Sequence, residues 1–203
     1  KLQRTIDAEE IDLKLVSGCE IMLTPEGLPE RLQNEPWLSF GEKKRYALVE
    51  SPLHIWPDWA DSVLFQMAKQ GITPIIAHPE RLSDVGKNPD VLERAISCGA
   101  LLQLTARSII GQDRPARRAA HRLLNAGLVS IVASDAHRAD HVWPREIVDD
   151  FVALMGEDAA QQILVDNPRR ILAGEDAAPA APSRDVSTHK GVFKKLGRAL
   201  GWR

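Results

Sequence analysis

The sequence predicts an α/β fold built on a parallel sheet or barrel with helices packed outside it, and three observations carry that prediction. Helix-like segments alternate with short apolar runs; successive helices close on a glycine, Gly71, Gly99 or Gly127; and runs such as "PIIA" and "IVA" are apolar on both alternating faces. A strand wetted on one side alternates apolar and polar residues, so a run apolar on both faces belongs to a strand covered on two sides, as in parallel sheets. Glycine at those three positions suits the left-handed conformation that ends a helix before the chain turns into a strand.

Taken in order, "KLQRTIDAEEIDLKLVSGCEIML" reads as a helix already under way before a strand, without an initiator methionine, so the chain is expected to be a fragment whose beginning is missing. A strand "YALVESP", a helix "WADSVLFQMAKQG", a strand "ITPIIAHPER", a helix "NPDVLERAISCG", a strand "ALLQLTARS", a helix "RPARRAAHRLLNAG" and a strand "LVSIVASDAH" follow. Chemistry in such folds gathers at the carboxyl ends of the strands. Glu50, His78 and Asp135 fall there.

From about Glu175 the composition shifts to "EDAAPAAPSRDVSTHKG", rich in Ala, Pro and Ser. Such a stretch buries too little apolar area to offset its ordering entropy and is expected to be a flexible linker. It leads into "GVFKKLGRALGWR", where Val192, Phe193, Leu196, Ala199 and Leu200 recur at helical spacing among Lys194, Lys195 and Arg198, a basic amphipathic tail suited to weak contact with a membrane surface.

The 203 residues, 44% hydrophobic and 27% charged, suit one globular domain with a real core. A formal net charge of -2 gives no reason to expect nucleic acid as a partner. Cys19 and Cys98 are too few for a disulfide scaffold and sit in no metal-binding spacing, which fits a reducing compartment. No run approaches the ~20 apolar residues that span a bilayer, and the first residues lack the apolar core of a signal peptide. The expected location is the cytoplasm.

Metal-type ligands stand at four strand ends: Glu20 in "SGCEIML", Glu50 in "YALVESP", His78 in "IIAHPER", and Asp135 with His137 in "IVASDAHR". Carboxylate oxygen with imidazole nitrogen suits zinc, manganese or iron better than calcium or magnesium alone, and a set without cysteine argues against a structural thiolate site. A hydrolytic metal cluster follows from that donor set. Singly, each position has a plainer explanation, as a helix cap or a surface ion pair; Arg81, for example, could pair with Glu80 or Asp84. His54, His121 and His189 read as surface residues and His141 as a solvated loop histidine.

"GCEIML", "YALVESP", "GITPIIAHPERL", "GALLQLTARSIIG", "AGLVSIVASDAH" and "NPRRILAG" occur in the order found in bacterial PHP-superfamily protein-tyrosine phosphatases of the capsular and exopolysaccharide type, the CpsB/YwqE-like family, which the chain resembles over residues 13–174. The resemblance implies a distorted (β/α)7 PHP barrel, here lacking its first strand or strands, with about three divalent metals at the strand ends, typically manganese. It implies Glu20 as a bridging carboxylate, Glu50 and His78 as ligands of a second ion, and Asp135 and His137 as ligands completing the other sites. Arg81 would hold phosphate oxygens, and of Arg138 and Arg145 the latter is expected to reach the site because it precedes a helix. The implied substrate is phosphotyrosine on a tyrosine autokinase that controls polysaccharide export. A histidinol-phosphate phosphatase-like activity, or a non-catalytic scaffold, stands as the alternative.

One departure matters. The family opens with an Asp-x-His-x-His motif and a Thr-Pro-His-His segment that supply ligands, whereas the six histidines here include no such pair. The expected layout is therefore a partial phosphatase domain over residues 1–174, a linker over 175–189 and the basic tail over 190–203, with the chain as given a poor enzyme.

Overall fold

The computed structural model describes residues 1–111, 113–138, 145–183 and 185–186, at 145–147 through the backbone alone. The apolar runs pair as strands: β1 (Glu20–Met22), β2 (Tyr46–Glu50), β3 (Thr73–Ala77), β4 (Leu101–Thr105) and β5 (Ile131–Ala133) form a five-stranded sheet in chain order, all parallel. The expected α/β class holds. Strands laid down in sequence follow the order of a barrel wall, whereas a doubly wound sheet reverses at a switch point.

The described α-helices before, between and after the strands are α1 (Leu2–Ala8), α2 (Leu28–Asn34), α3 (Ala60–Lys69), α4 (Ser83–Lys87), α5 (Glu93–Ser97), α6 (Ala106–Ile110), α7 (Arg114–Asn125), α8 (Arg145–Met155), α9 (Glu157–Gln161) and α10 (Asn167–Ala173). In α3 the buried residues are Ala60, Val63, Leu64 and Met67, and in α7 they are Ala116, Ala119, Ala120, Leu123 and Leu124. Both sets step by three and four, which gathers one stripe against the sheet. α7 starts where the Asp113 side chain accepts a hydrogen bond from the Ala116 N–H at 3.2 Å, relieving one of the donors a helix start leaves unpaired. The run expected as a single helix from Asn88 divides into a 3-10 turn, Pro89–Leu92, and α5; the Asn88 side chain caps the start of the turn by accepting from the Asp90 N–H at 3.1 Å. Gly71, Gly99 and Gly127 have φ of 76, 87 and 67°, the left-handed geometry expected of them.

Register divides the sheet into two faces. Glu20 lies opposite Leu48, Leu48 opposite Ile75, and Ile75 opposite Leu101, so alternate residues of all five strands share one side. The other side, with Ile21, Ala47, Val49, Ile76, Leu102, Leu104 and Val132, merges with the helix stripes into the main core. On the first side, Tyr46, Ile75, Leu101 and Ile131 form a second cluster with Ile171 of α10. Toward the carboxyl ends that same side turns polar: Glu50, Gln103, Thr105 and, one residue beyond β3, His78. The apolar half fixes the strands, and the polar half is presented above it.

Residues 175–186, within the stretch expected as a flexible linker, lie against the domain instead, so far as they are described. The Tyr46 hydroxyl donates to the Glu175 carbonyl, Arg45 pairs with Asp176, the Ala180 N–H donates to the Val129 carbonyl at 3.0 Å, and Val186 is fully buried. The composition of the stretch averages over these few anchors and so conceals them. The basic tail, His141 and His189 lie outside the described residues.

Candidate metal centre

Glu50 ends β2 and His78 follows β3, as expected, but Glu20 opens β1 opposite Leu48 rather than ending it; β1 is so short that parallel pairing still brings one donor from each of the three neighbouring strands to a common point. The His78 Nε2 lies 2.7 Å from Glu20 Oε1 and 3.6 Å from Glu50 Oε2. One ligand atom from each of the three lies within 4.8 Å of the others. His78 reaches this position through a positive φ of 33°, unusual for a residue with a side chain, while its own N–H donates to the Gln103 carbonyl at 2.8 Å. Two carboxylates and an imidazole are the donor set of an open, hydrolytic type of divalent site rather than a closed structural one.

The charges of the cluster act on one another. Burial, then the neighbouring Glu20 carboxylate, raises the Glu50 carboxyl above its ordinary 4.5. Burial, and after it the Arg81 charge, would lower His78, but the hydrogen bond its ring donates to Glu20 and the carboxylates of Glu20 and Glu80 outweigh them, and the imidazole is raised above 6.5. A set of anions gathered this closely repels itself, and a divalent cation relieves that repulsion. The residues present therefore fit such an ion.

Arg81 lies on the 3-10 turn Pro79–Arg81 that follows His78, with its side chain 43% exposed. Its Nη2 donates to Asp135 Oδ2 at 2.6 Å and to Thr105 Oγ1 at 3.1 Å. The ion-pair partners suggested by sequence are otherwise engaged: Glu80 is buried, and Asp84 accepts from the Trp56 N–H at 2.6 Å. Asp135, past the end of β5, also has a positive φ, 52°, and is held by Arg81 rather than gathered with the three donors. His137 is exposed, its Nδ1 2.9 Å from the Asp135 carbonyl oxygen. Arg145 opens α8, and its side chain lies outside the described residues.

Two residues that sequence reasoning missed complete the floor. Glu80, named above only as a surface partner, is 2% exposed and accepts a hydrogen bond from the Thr105 N–H at 3.1 Å. Burial raises its carboxyl above 4.5, against the Ser108 and Thr105 groups that favour the anion. Thr105 is itself buried, and its hydroxyl stands 3.4 Å from Asp135 Oδ2. The adjacent "QLT" reads as plain strand, so only the pairing of β3 with β4 could reveal this contact. A cleft of about 800 Å³ behind β5 is lined by apolar Val132, Val152 and Leu164 with Glu157 and Asp158, a lining that repels an anionic phosphate.

Fold and donor set together define the class: an α/β protein with parallel strands whose ends present a candidate divalent-metal centre beside an arginine. The chain belongs to the capsular polysaccharide synthesis CpsB/CapC family, whose model matches residues 1–173. It is 33% identical to the tyrosine-protein phosphatase YwqE of Bacillus subtilis (strain 168) over 138 residues, 68% of this chain and 54% of the relative. It is 30% identical to the tyrosine-protein phosphatase CpsB of Streptococcus pneumoniae over 169 residues, 79% of this chain and 69% of the relative. The chain thus spans about half the length of curated relatives such as YwqE. A solved chain from the crystal structures of YwqE from B. subtilis and CpsB from S. pneumoniae, described as unique metal-dependent tyrosine phosphatases, matches with a TM-score of 0.78 at 25% identity, covering 90% of this chain and 75% of the other. Among the described residues no helix is long and apolar enough to cross a membrane.

Proposed function

We propose that the chain carries the strand-end centre of a manganese-dependent protein-tyrosine phosphatase, a phosphoric monoester hydrolase acting in the cytoplasm on a tyrosine autokinase that regulates capsule or exopolysaccharide synthesis. The observation that carries this reading is the convergence of Glu20, Glu50 and His78 next to the Arg81 guanidinium. Glu20, Glu50 and His78 would hold divalent metal, with Asp135 and His137 the nearby donors for the remainder of about three ions. Metal bound there would acidify water and neutralise charge on the phosphoryl group. Arg81 can offer two parallel N–H donors to phosphate oxygens once it exchanges Asp135 for the substrate, and Arg145 is assigned a second phosphate contact. The His78 ring, bonded to Glu20, fixes its orientation toward the donors rather than toward solvent.

Hydrolysis of a phosphotyrosine peptide should require manganese, stop with a chelator and resume on its replacement, and His78→Ala or Asp135→Ala should abolish it with the fold retained. Near wild-type turnover by either variant in manganese buffer would remove the assignment. Faster turnover of histidinol phosphate than of the peptide would move the chain to a small-molecule phosphatase. The basic tail is assigned a weak contact with anionic membrane that keeps the enzyme near its kinase. Vesicle co-sedimentation should distinguish the full chain from a form ending at Val186, and equal partitioning would dispose of that role.

A further inference from the structure

A buried carboxylate is costly where an apolar side chain of the same size would pack as well, so its presence beneath a functional site calls for a reason. Glu80 is such a residue. It is 2% exposed, one of its oxygens accepts the Thr105 N–H at 3.1 Å, and the other, among the described residues, makes no hydrogen bond of ordinary geometry, although the Ser108 side chain lies close enough to favour the anion. On one side Glu80 stands in the turn between His78 and Arg81; on the other, its partner Thr105 presents a hydroxyl 3.1 Å from Arg81 Nη2 and 3.4 Å from Asp135 Oδ2. His78, two residues before it, has a φ of 33° that costs roughly 1 kcal/mol or more and persists only where surrounding contacts over-determine it.

We infer that Glu80 is a positioning residue: by fastening the turn after β3 to the end of β4, it sets both the strained His78 against Glu20 and the Arg81 guanidinium against Thr105 and Asp135. The inference rests on the phosphatase reading for its functional consequence, but the geometry it asserts is independent of that reading. Without the Glu80–Thr105 bond, the backbone hydrogen bond from the His78 N–H to the Gln103 carbonyl would hold the chain to β4 just before the turn, and within the turn the long, half-exposed Arg81 side chain would reach Thr105 without fixing the backbone. The backbone of His78 could then relax to negative φ, which swings its ring away from Glu20. Arg81 would lose its register with Thr105 in the same motion.

The test compares wild type with Glu80→Met, which fills the space without an acceptor, and Glu80→Gln, which keeps the acceptor without the charge. In Glu80→Met, manganese binding measured by calorimetry should weaken about 10- to 100-fold, the usual cost of removing an outer partner of a ligand. The affinity for inorganic phosphate in manganese buffer should fall with it. The 15N signals of the His78 ring, recorded without metal, should lose the hydrogen-bonded position seen in wild type. Glu80→Gln should restore all three. If Glu80→Met does not fold, Glu80→Asp, which keeps the charge but falls one methylene short of Thr105, should show the same losses. Unchanged His78 signals in a folded Glu80→Met or Glu80→Asp protein overturn the inference, even if the melting temperature falls, because a merely structural carboxylate would lower stability alone. A wild type that binds neither manganese nor phosphate, with His78 still released in Glu80→Met, would sustain the positioning role while sinking the phosphatase reading.

Discussion

At the scale of single residues, Arg81 shows what a short motif does and does not disclose. "HPER" announces a histidine and an arginine at a strand end, and both are where the tetrapeptide places them. Replacing Arg81 by Lys keeps the positive charge but loses the planar fork that bonds Asp135 and Thr105 and would bond two phosphate oxygens. kcat/KM for a phosphotyrosine peptide should fall by the equivalent of about 1.5–3 kcal/mol, the scale of a hydrogen bond to a charged group. Equal kcat/KM for the two side chains would leave Arg81 only its ion pair. The glutamate between them was not readable in the same way. Whether a carboxylate after a strand faces solvent or the floor of a site depends on which strand lies next to it, and Thr105 is 25 residues away along the chain. Glu50 and His78 were recognisable because each follows an apolar run, whereas Glu20 opens its strand rather than ending it; that these three lie together, apart from Asp135 and His137, follows from β1, β2 and β3 being neighbours.

At the scale of elements, apolar periodicity located the strands and α3 and α7 because both helices bury residues at steps of three and four, and the glycines marked the ends. Side-chain burial within an element was harder to read, as His121 shows. From sequence it is a surface residue of α7; in the fold it is half-buried, its Nε2–H donating to the Ile109 carbonyl of α6 at 3.1 Å. Burial lowers the imidazole below 6.5 and Arg117 adds to this, while the Ile109 bond and the Asp185 carboxylate oppose it. The folded chain therefore takes up a proton less readily than the unfolded one. Above 6.5 both states are neutral and the residue contributes no pH dependence; as pH falls through 6.5 the unfolded state gains protons first, and stability drops until the folded imidazole also titrates. Urea unfolding at pH 7.5 and 5.5 should show a larger loss in wild type than in His121→Gln, whose amide can keep the donor. Identical losses would place the acid sensitivity elsewhere.

At the scale of the whole molecule, sequential parallel strands leave one sheet face to the helices and require something else to cover the other. α10 contributes Ile171 to that second face, and the chain continues from it along the domain edge through residues 175–186. Composition predicted a linker here, since Ala, Pro and Ser dominate, but holding a segment needs only a few anchors in register with open donors and acceptors. The Tyr46 hydroxyl meets the Glu175 carbonyl, Asn167 donates to both Ser130 and Ala178, the Ser183 N–H donates to the Met155 carbonyl, and Val186 is buried with its N–H on Asn125. Gly127 turns beneath this segment, where an added Cβ would come within 3.1 Å of Ala181. A form ending at Gly174 should therefore lose the burial of Val186 and Ala180 and leave several buried polar groups single-handed, a cost on the order of 2–3 kcal/mol. For a chain of this size that corresponds to a melting temperature lower by about 5–10 °C than that of a form ending at Val186. The comparison isolates the segment, since the two forms differ in residues 175–186 alone. Melting temperatures that agree within about 1 °C would mean that the anchors contribute nothing and that the second face is held by α10 without them.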